Sequence, residues 1–204
     1  MSFQWIIDNA VDVTIDKSGL NAQTVSRDSV VRTVSRGTKP WKFSITPSPG
    51  LRWFDAGVRS NIAVCEDYGI SIPEDSLGFS STGHNWLFAW QGTGNSTGMT
   101  ASYVKGQSEF TLSGGGSLSN YAFKAGDIIQ IGTHVYGIAE DVPVSQIANP
   151  ILVNRPIIEE TGTSAITVGS LCRWTLQCIK FPSYKITPLG FIEWSGTFDF
   201  IEVI

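Results

Sequence analysis

The chain has 204 residues and a net charge of −4, enough length to bury roughly 70% of its unfolded surface and form a core without staples. It has no run of 18 apolar residues, which argues against a membrane-spanning helix. The first residues, Met1 to Trp5, lack the basic region and apolar stretch of a secretory signal, so none is expected.

Ile, Val and Thr total 53 residues against 21 for Ala and Leu. β-branched side chains suit a pleated, half-buried surface, so the expected class is mostly β. Residues 2–47 read as strands. Trp41, Phe43 and Ile45 alternate with Lys42, Ser44 and Thr46, a half-buried strand. Ser29 to Arg36 reads as its partner, with a turn at 36–39. One helix is expected over 49–66. Ser48 caps it, Pro49 sits in its first turn, and Leu51, Phe54, Val58, Ile62 and Cys65 form one stripe. Gly69 ends it.

Trp86 to Trp90 reads as a short buried strand. Over 92–123, Gly, Ser and Thr fill 17 of 32 positions, with Gly114 to Gly116 a flexible loop, so a domain junction is placed near 90–92. Asp127–Ile131 and His134–Ile138 flank Gly132-Thr133 as a hairpin. Residues 151–153, 157–159 and 165–168 are further short strands, together a small barrel. Residues 173–184 and 191–204 are two long strands around a turn at Pro188 to Gly190, with a bulge at Gly196. The expected architecture is therefore a β-sandwich or barrel-like domain with one α-helix, made of 1–91 and 173–204. An inserted barrel at 92–172 is joined to it by few core contacts.

No catalytic site is expected. His84 and His134 lie far apart, with no Cys or His at ligand spacing. No nucleophile signature accompanies a Ser or Cys. The pairs Glu66-Asp67, Glu140-Asp141 and Glu159-Glu160 are sequence neighbours, which on a strand point to opposite faces. Cys65, Cys172 and Cys178 read as three buried thiols, an odd count that opposes a disulfide framework. No cofactor and no metal are expected, and the chain is read as not an enzyme. The nearest cations, Arg27 to Lys42, are spread over sixteen residues, which argues against tight DNA binding. The segment 92–172 holds three cations against six carboxylates, the wrong sign for a nucleic-acid barrel. Of the seven Trp, most fall in apolar-periodic runs. Trp53 lies off the helix stripe and is the candidate inter-subunit aromatic.

Three stretches together carry a resemblance. They are Ser35-Arg-Gly-Thr-Lys-Pro-Trp-Lys-Phe-Ser-Ile-Thr-Pro47 before a helix, Phe123 to Val142 with its hairpin, and the closing Trp174 to Ile204. The chain resembles the distal tail protein (Dit) of siphophages infecting Gram-negative hosts. The resemblance runs the whole length and supplies no catalytic residue. It implies a structural tail-tip hub, made in the host cytoplasm and located in the virion. It implies a homohexameric ring joining the tail tube protein to the tip and adsorption proteins, with the domain of 1–91 and 173–204 as the ring-forming one, and an OB-fold-like second domain. Dit proteins of phages of Gram-positive hosts carry a larger second domain, for which this chain has no room. A compact chain of this length makes a sphere about 43 Å across, and six of them leave a hole about as wide as one sphere. The alternative expectation is a carbohydrate-binding module whose barrel presents aromatics to host-surface glycans.

Overall fold

The computed structural model describes residues 3–17, 21–25, 31–35, 40–71, 74–80, 83–114 and 117–204. The fold is mostly β, 43% strand and 14% helical, with curled half-barrel sheets and two helices. In chain order the elements begin with α1 (Gln4–Asp8), β1 (Ala10–Asp16), β2 (Asn21–Val25), β3 (Val31–Ser35), β4 (Lys42–Pro47), α2 (Val58–Ser71) and β5 (Asp75–Gly78). There follow β6 (Thr100–Tyr103), β7 (Glu109–Ser113), β8 (Tyr121–Phe123), β9 (Ile128–Ile131), β10 (His134–Gly137), β11 (Val142–Pro143), β12 (Ile151–Leu152) and β13 (Gly162–Val168). The last are β14 (Arg173–Lys180), β15 (Tyr184–Ile186), β16 (Ile192–Trp194) and β17 (Phe198–Glu202).

A five-stranded sheet has the order β1-β4-β17-β14-β5, so the closing strands pack with the first ones, as the aromatic alternation implies. A six-stranded sheet has the order β10-β9-β13-β6-β7-β12. Phe43 and Ile45 on β4 and Phe198 and Phe200 on β17 turn inward. There they meet Trp41, Phe79, Phe88 and Trp174 in an aromatic core.

Several local expectations are corrected. Residues 4–8 are helical, not extended: Ile6 and Ile7 are adjacent and both fully buried, which a strand with one wet face cannot achieve. The partner of β4 is β1, while β3 pairs with β2; the expected turn at 36–39 lies outside the described residues. The helix starts at Val58, nine residues late, because Gly57 has φ +81°, a left-handed conformation that no helix interior tolerates. Val58, Ile62 and Cys65 keep the buried stripe, but Phe54 is thrown outward. Gly69 lies within α2 rather than ending it. Asn85–Phe88 is a 3-10 turn rather than a strand, burying Phe88 and exposing Trp86. Residues 157–159 form no strand, although Ile157 is buried. The two long closing strands are each broken: 195–197 separate β16 from β17, and the register irregularity falls at Cys178/Lys180 on β14. The hairpin of β9 and β10 has the expected connection, and Gly132 has φ +59°.

The seam between the sheets is heavily bonded, contrary to the expectation of few core contacts. Arg155 donates two bonds of 2.6 Å to the carboxylate of Glu202, one to each oxygen. The same guanidinium donates to the Val135 carbonyl at 2.7 Å, and Trp41 Nε1 donates to that carbonyl at 3.3 Å. Glu202 also accepts the Trp41 backbone N–H at 3.1 Å. Ile128 and Val135, on the second sheet, pack into the aromatic core of the first. At the chain crossing, buried Asp127 accepts the backbone N–H groups of Gln91 and Lys124. Burial pushes its carboxyl above the usual range despite those bonds.

Candidate intersubunit surface around Trp53

Residues 48–57 run irregularly from β4 to α2. The Trp53 N–H donates to the Gly190 carbonyl at 2.8 Å, and the Leu51 carbonyl accepts the Ile192 N–H at 3.0 Å. These bonds tie the segment to the connection between β15 and β16. Trp53 is half-buried, stacked on Tyr184 with ring centroids 6.0 Å apart. It packs against a small cluster of Val58, Ile62 and Ile192. Trp53 therefore anchors the surface from behind rather than forming its outermost point.

The exposed residues are its neighbours. Phe54 is 81% exposed and Leu189 is 78% exposed. They are contiguous through Gly190, whose φ is +80° and where a β-carbon would lie 2.6 Å from the Phe54 ring. The glycine thus lets the ring lie against the turn. Arg52 sits over the Phe191 ring at 4.7 Å and Arg59 over the Trp53 ring at 5.9 Å. The result is an apolar knob on a packed base, flanked by two arginines, the composition favoured at protein interfaces. Sequence reasoning missed Phe54 by placing it on the helix stripe and Leu189 by leaving it in a turn. The usable signal was Gly57, whose cost inside a helix already opposed a start at 49.

The chemistry-bearing residues are dispersed. Among the described residues, no three His, Cys, Asp or Glu side chains converge to hold a metal ion. His84 Nε2 lies 3.0 Å from the Ala10 carbonyl. The neighbouring carboxylates separate: Glu160 pairs with Lys105 and Asp141 with Lys124, while Glu159 turns to His134. Cys65 and Cys172 are buried, as expected, but Cys178 is only half-buried. Burial pushes their thiols up, to about 12 for Cys65 and Cys172 and about 11 for Cys178. At neutral pH all three are protonated and poor nucleophiles.

Glu159 clamps the β9–β10 turn. Its Oε1 accepts the Thr133 N–H at 2.7 Å, the Thr133 hydroxyl at 3.0 Å and His134 Nδ1 at 2.8 Å. Burial alone would raise its carboxyl, but the bonds from His134 and Thr133 outweigh it and hold the group below its ordinary 4.5. A lowered folded value gives stability that is present above the ordinary value and lost as pH falls through the folded one. Glu159→Gln should therefore lower the urea midpoint at neutral pH and narrow its gap from the parent in acid. A gap that stays constant with pH would refute the clamp.

A scan against protein-family models returns no match for this chain, and a search of curated proteins returns none.

Proposed function

We propose that the chain is a structural subunit of a siphophage tail tip, a hub that closes a ring with copies of itself and joins the tail tube to the distal adsorption apparatus. The observation that carries this reading is the Phe54–Leu189 knob. An exposed aromatic beside an exposed Leu, seated on packed Trp53 and flanked by Arg52 and Arg59, is costly in water and suited to burial against protein. The resemblance in the three stretches named above supplies the ring and its place in the tail. The reading also includes a role without catalysis and without tight hold on DNA, consistent with a chain of charge −4.

The carbohydrate reading asks for exposed aromatics on 92–172. There Tyr103 and Tyr121 are half-buried, with Lys124 over the Tyr121 ring at 3.2 Å, and Phe110, Phe123 and Tyr136 are buried. The hub reading therefore stands first. The test is imaging of whole virions with an antibody against the chain, together with its copy number in purified tails. Label at the tail tip and six copies are expected. A copy number not divisible by three, or label elsewhere on the particle, would overturn the reading.

A further inference from the structure

The hub reading leaves open which surface of the neighbouring copy receives the knob, and the second sheet offers one. A groove of about 360 Å³ opens on β6, β7 and β13, lined by Val104, Glu109, Thr111, Pro150 and Thr163 among others. Val104 is exposed, and Leu152, paired with Glu109 across β12 and β7, is exposed beside it. Resting on the ring reading, we propose that the Phe54–Leu189 knob of one copy docks in this groove of the next copy, with Arg59 facing Glu109.

Three observations point to this occupant. The first is charge. Among the described residues Glu109 makes no ion pair, and the groove lining contains no cation. The three cations of 92–172 are all engaged within the chain: Lys105 with Glu160, Lys124 with Asp141 and Arg155 with Glu202. On the knob, Arg52 and Arg59 make aromatic contacts and no salt bridge among the described residues, with Asp55 the carboxylate beside them. Second, the groove is closed to strand addition. Gly162, Tyr103, Phe110 and Ile151 pair in one row across four strands, so an occupant is held by side chains. An apolar wedge with a cation at its rim suits such a surface better than an extended peptide, which needs a free backbone edge. β12 is bonded back to the β10 end, with the Ala139 N–H donating to the Leu152 carbonyl at 3.0 Å and the Asn154 N–H to the Gly137 carbonyl at 2.9 Å, so the sheet leaves no free edge beside the groove. The third is position. Knob and groove are both open on a single chain, so their contact is between copies. It is heterologous, and such contacts generate a ring when the rotation closes.

The test is sedimentation velocity of the full chain at about 100 μM, well above the micromolar constants of a specific contact. It compares the parent with Phe54→Ser, Arg59→Glu, Glu109→Arg and the Arg59→Glu/Glu109→Arg pair. All three positions are exposed, and circular dichroism of each variant establishes that it is folded. Each single change is expected to weaken self-association at least about tenfold, or about 1.4 kcal/mol. The charge-swapped pair should recover most of that loss. Oligomers indifferent to all four variants would overturn the docking and leave the ring reading standing. A parent that stays monomeric would overturn the docking too, and the ring reading is then decided by the copy number in tails. Maltotriose is the probe for a sugar. Amide shifts at Val104 and Glu109 on its addition, with no self-association, would assign the groove to a neutral glycan instead.

Discussion

Replacing Arg155 with Ala should cost about 3–5 kcal/mol, the usual penalty for removing one partner of a buried ion pair. Both side chains are 1% exposed, so Glu202 would be left as a carboxylate with no cation and no water. Such a group takes up a proton, and its folded value rises above the unfolded one. The variant should then be most stable in acid and lose stability as pH climbs through that range. Urea midpoints across pH measure it. A loss under about 1 kcal/mol, flat with pH, would show that the seam is wet or loosely held.

The double change Arg155→Met/Glu202→Leu should be milder, because it removes both charges together. It will not be neutral. Glu202 also accepts the Trp41 N–H, and that buried donor would lose its partner at a cost of about 1–3 kcal/mol. The same accounting applies to deleting 92–172. The deletion strands Glu202, removes Ile128 and Val135 from the aromatic core, and opens the Trp41 indole to water. The shortened chain should be unfolded by circular dichroism, whereas an insertion joined by few core contacts would leave a folded remainder.

The reason this seam was invisible in the sequence is plain. Arg155 lies 47 residues from Glu202, and neither sits in a pattern that marks burial. A lone Arg between Asn154 and Pro156 reads as a surface cation. What was legible was the local alternation: β4, the β9–β10 hairpin with its Gly132 turn, and the inward aromatics of β17. Period and turn chemistry are properties of neighbouring residues. Strand partners are not, so β3 was matched to β4 when β1 holds that place. The knob fails for a related reason. Phe54 fits a helical stripe by spacing, and the left-handed Gly57 that forbids the helix there shows in the sequence only as a cost.

Trp174→Ala should be the most damaging single truncation of the first core. Trp174 is 1% exposed. Its ring lies 5.5 Å from Trp41, 5.3 Å from Phe43, 5.8 Å from Phe79 and 4.9 Å from Phe88. These four rings come from three separate stretches of chain, β4 with its leader, the residue after β5 and the 3-10 turn. Removing the indole leaves a cavity that they can close only by moving the backbones that carry them. Large-to-small changes at such sites cost about 3–5 kcal/mol, a large part of the 5–15 kcal/mol that typically holds a domain folded. Trp86→Ala is the control. Trp86 is 66% exposed, and its loss should stay within about 0.5 kcal/mol. Equal losses at the two positions in urea unfolding would mean that the aromatic core is not centred on Trp174.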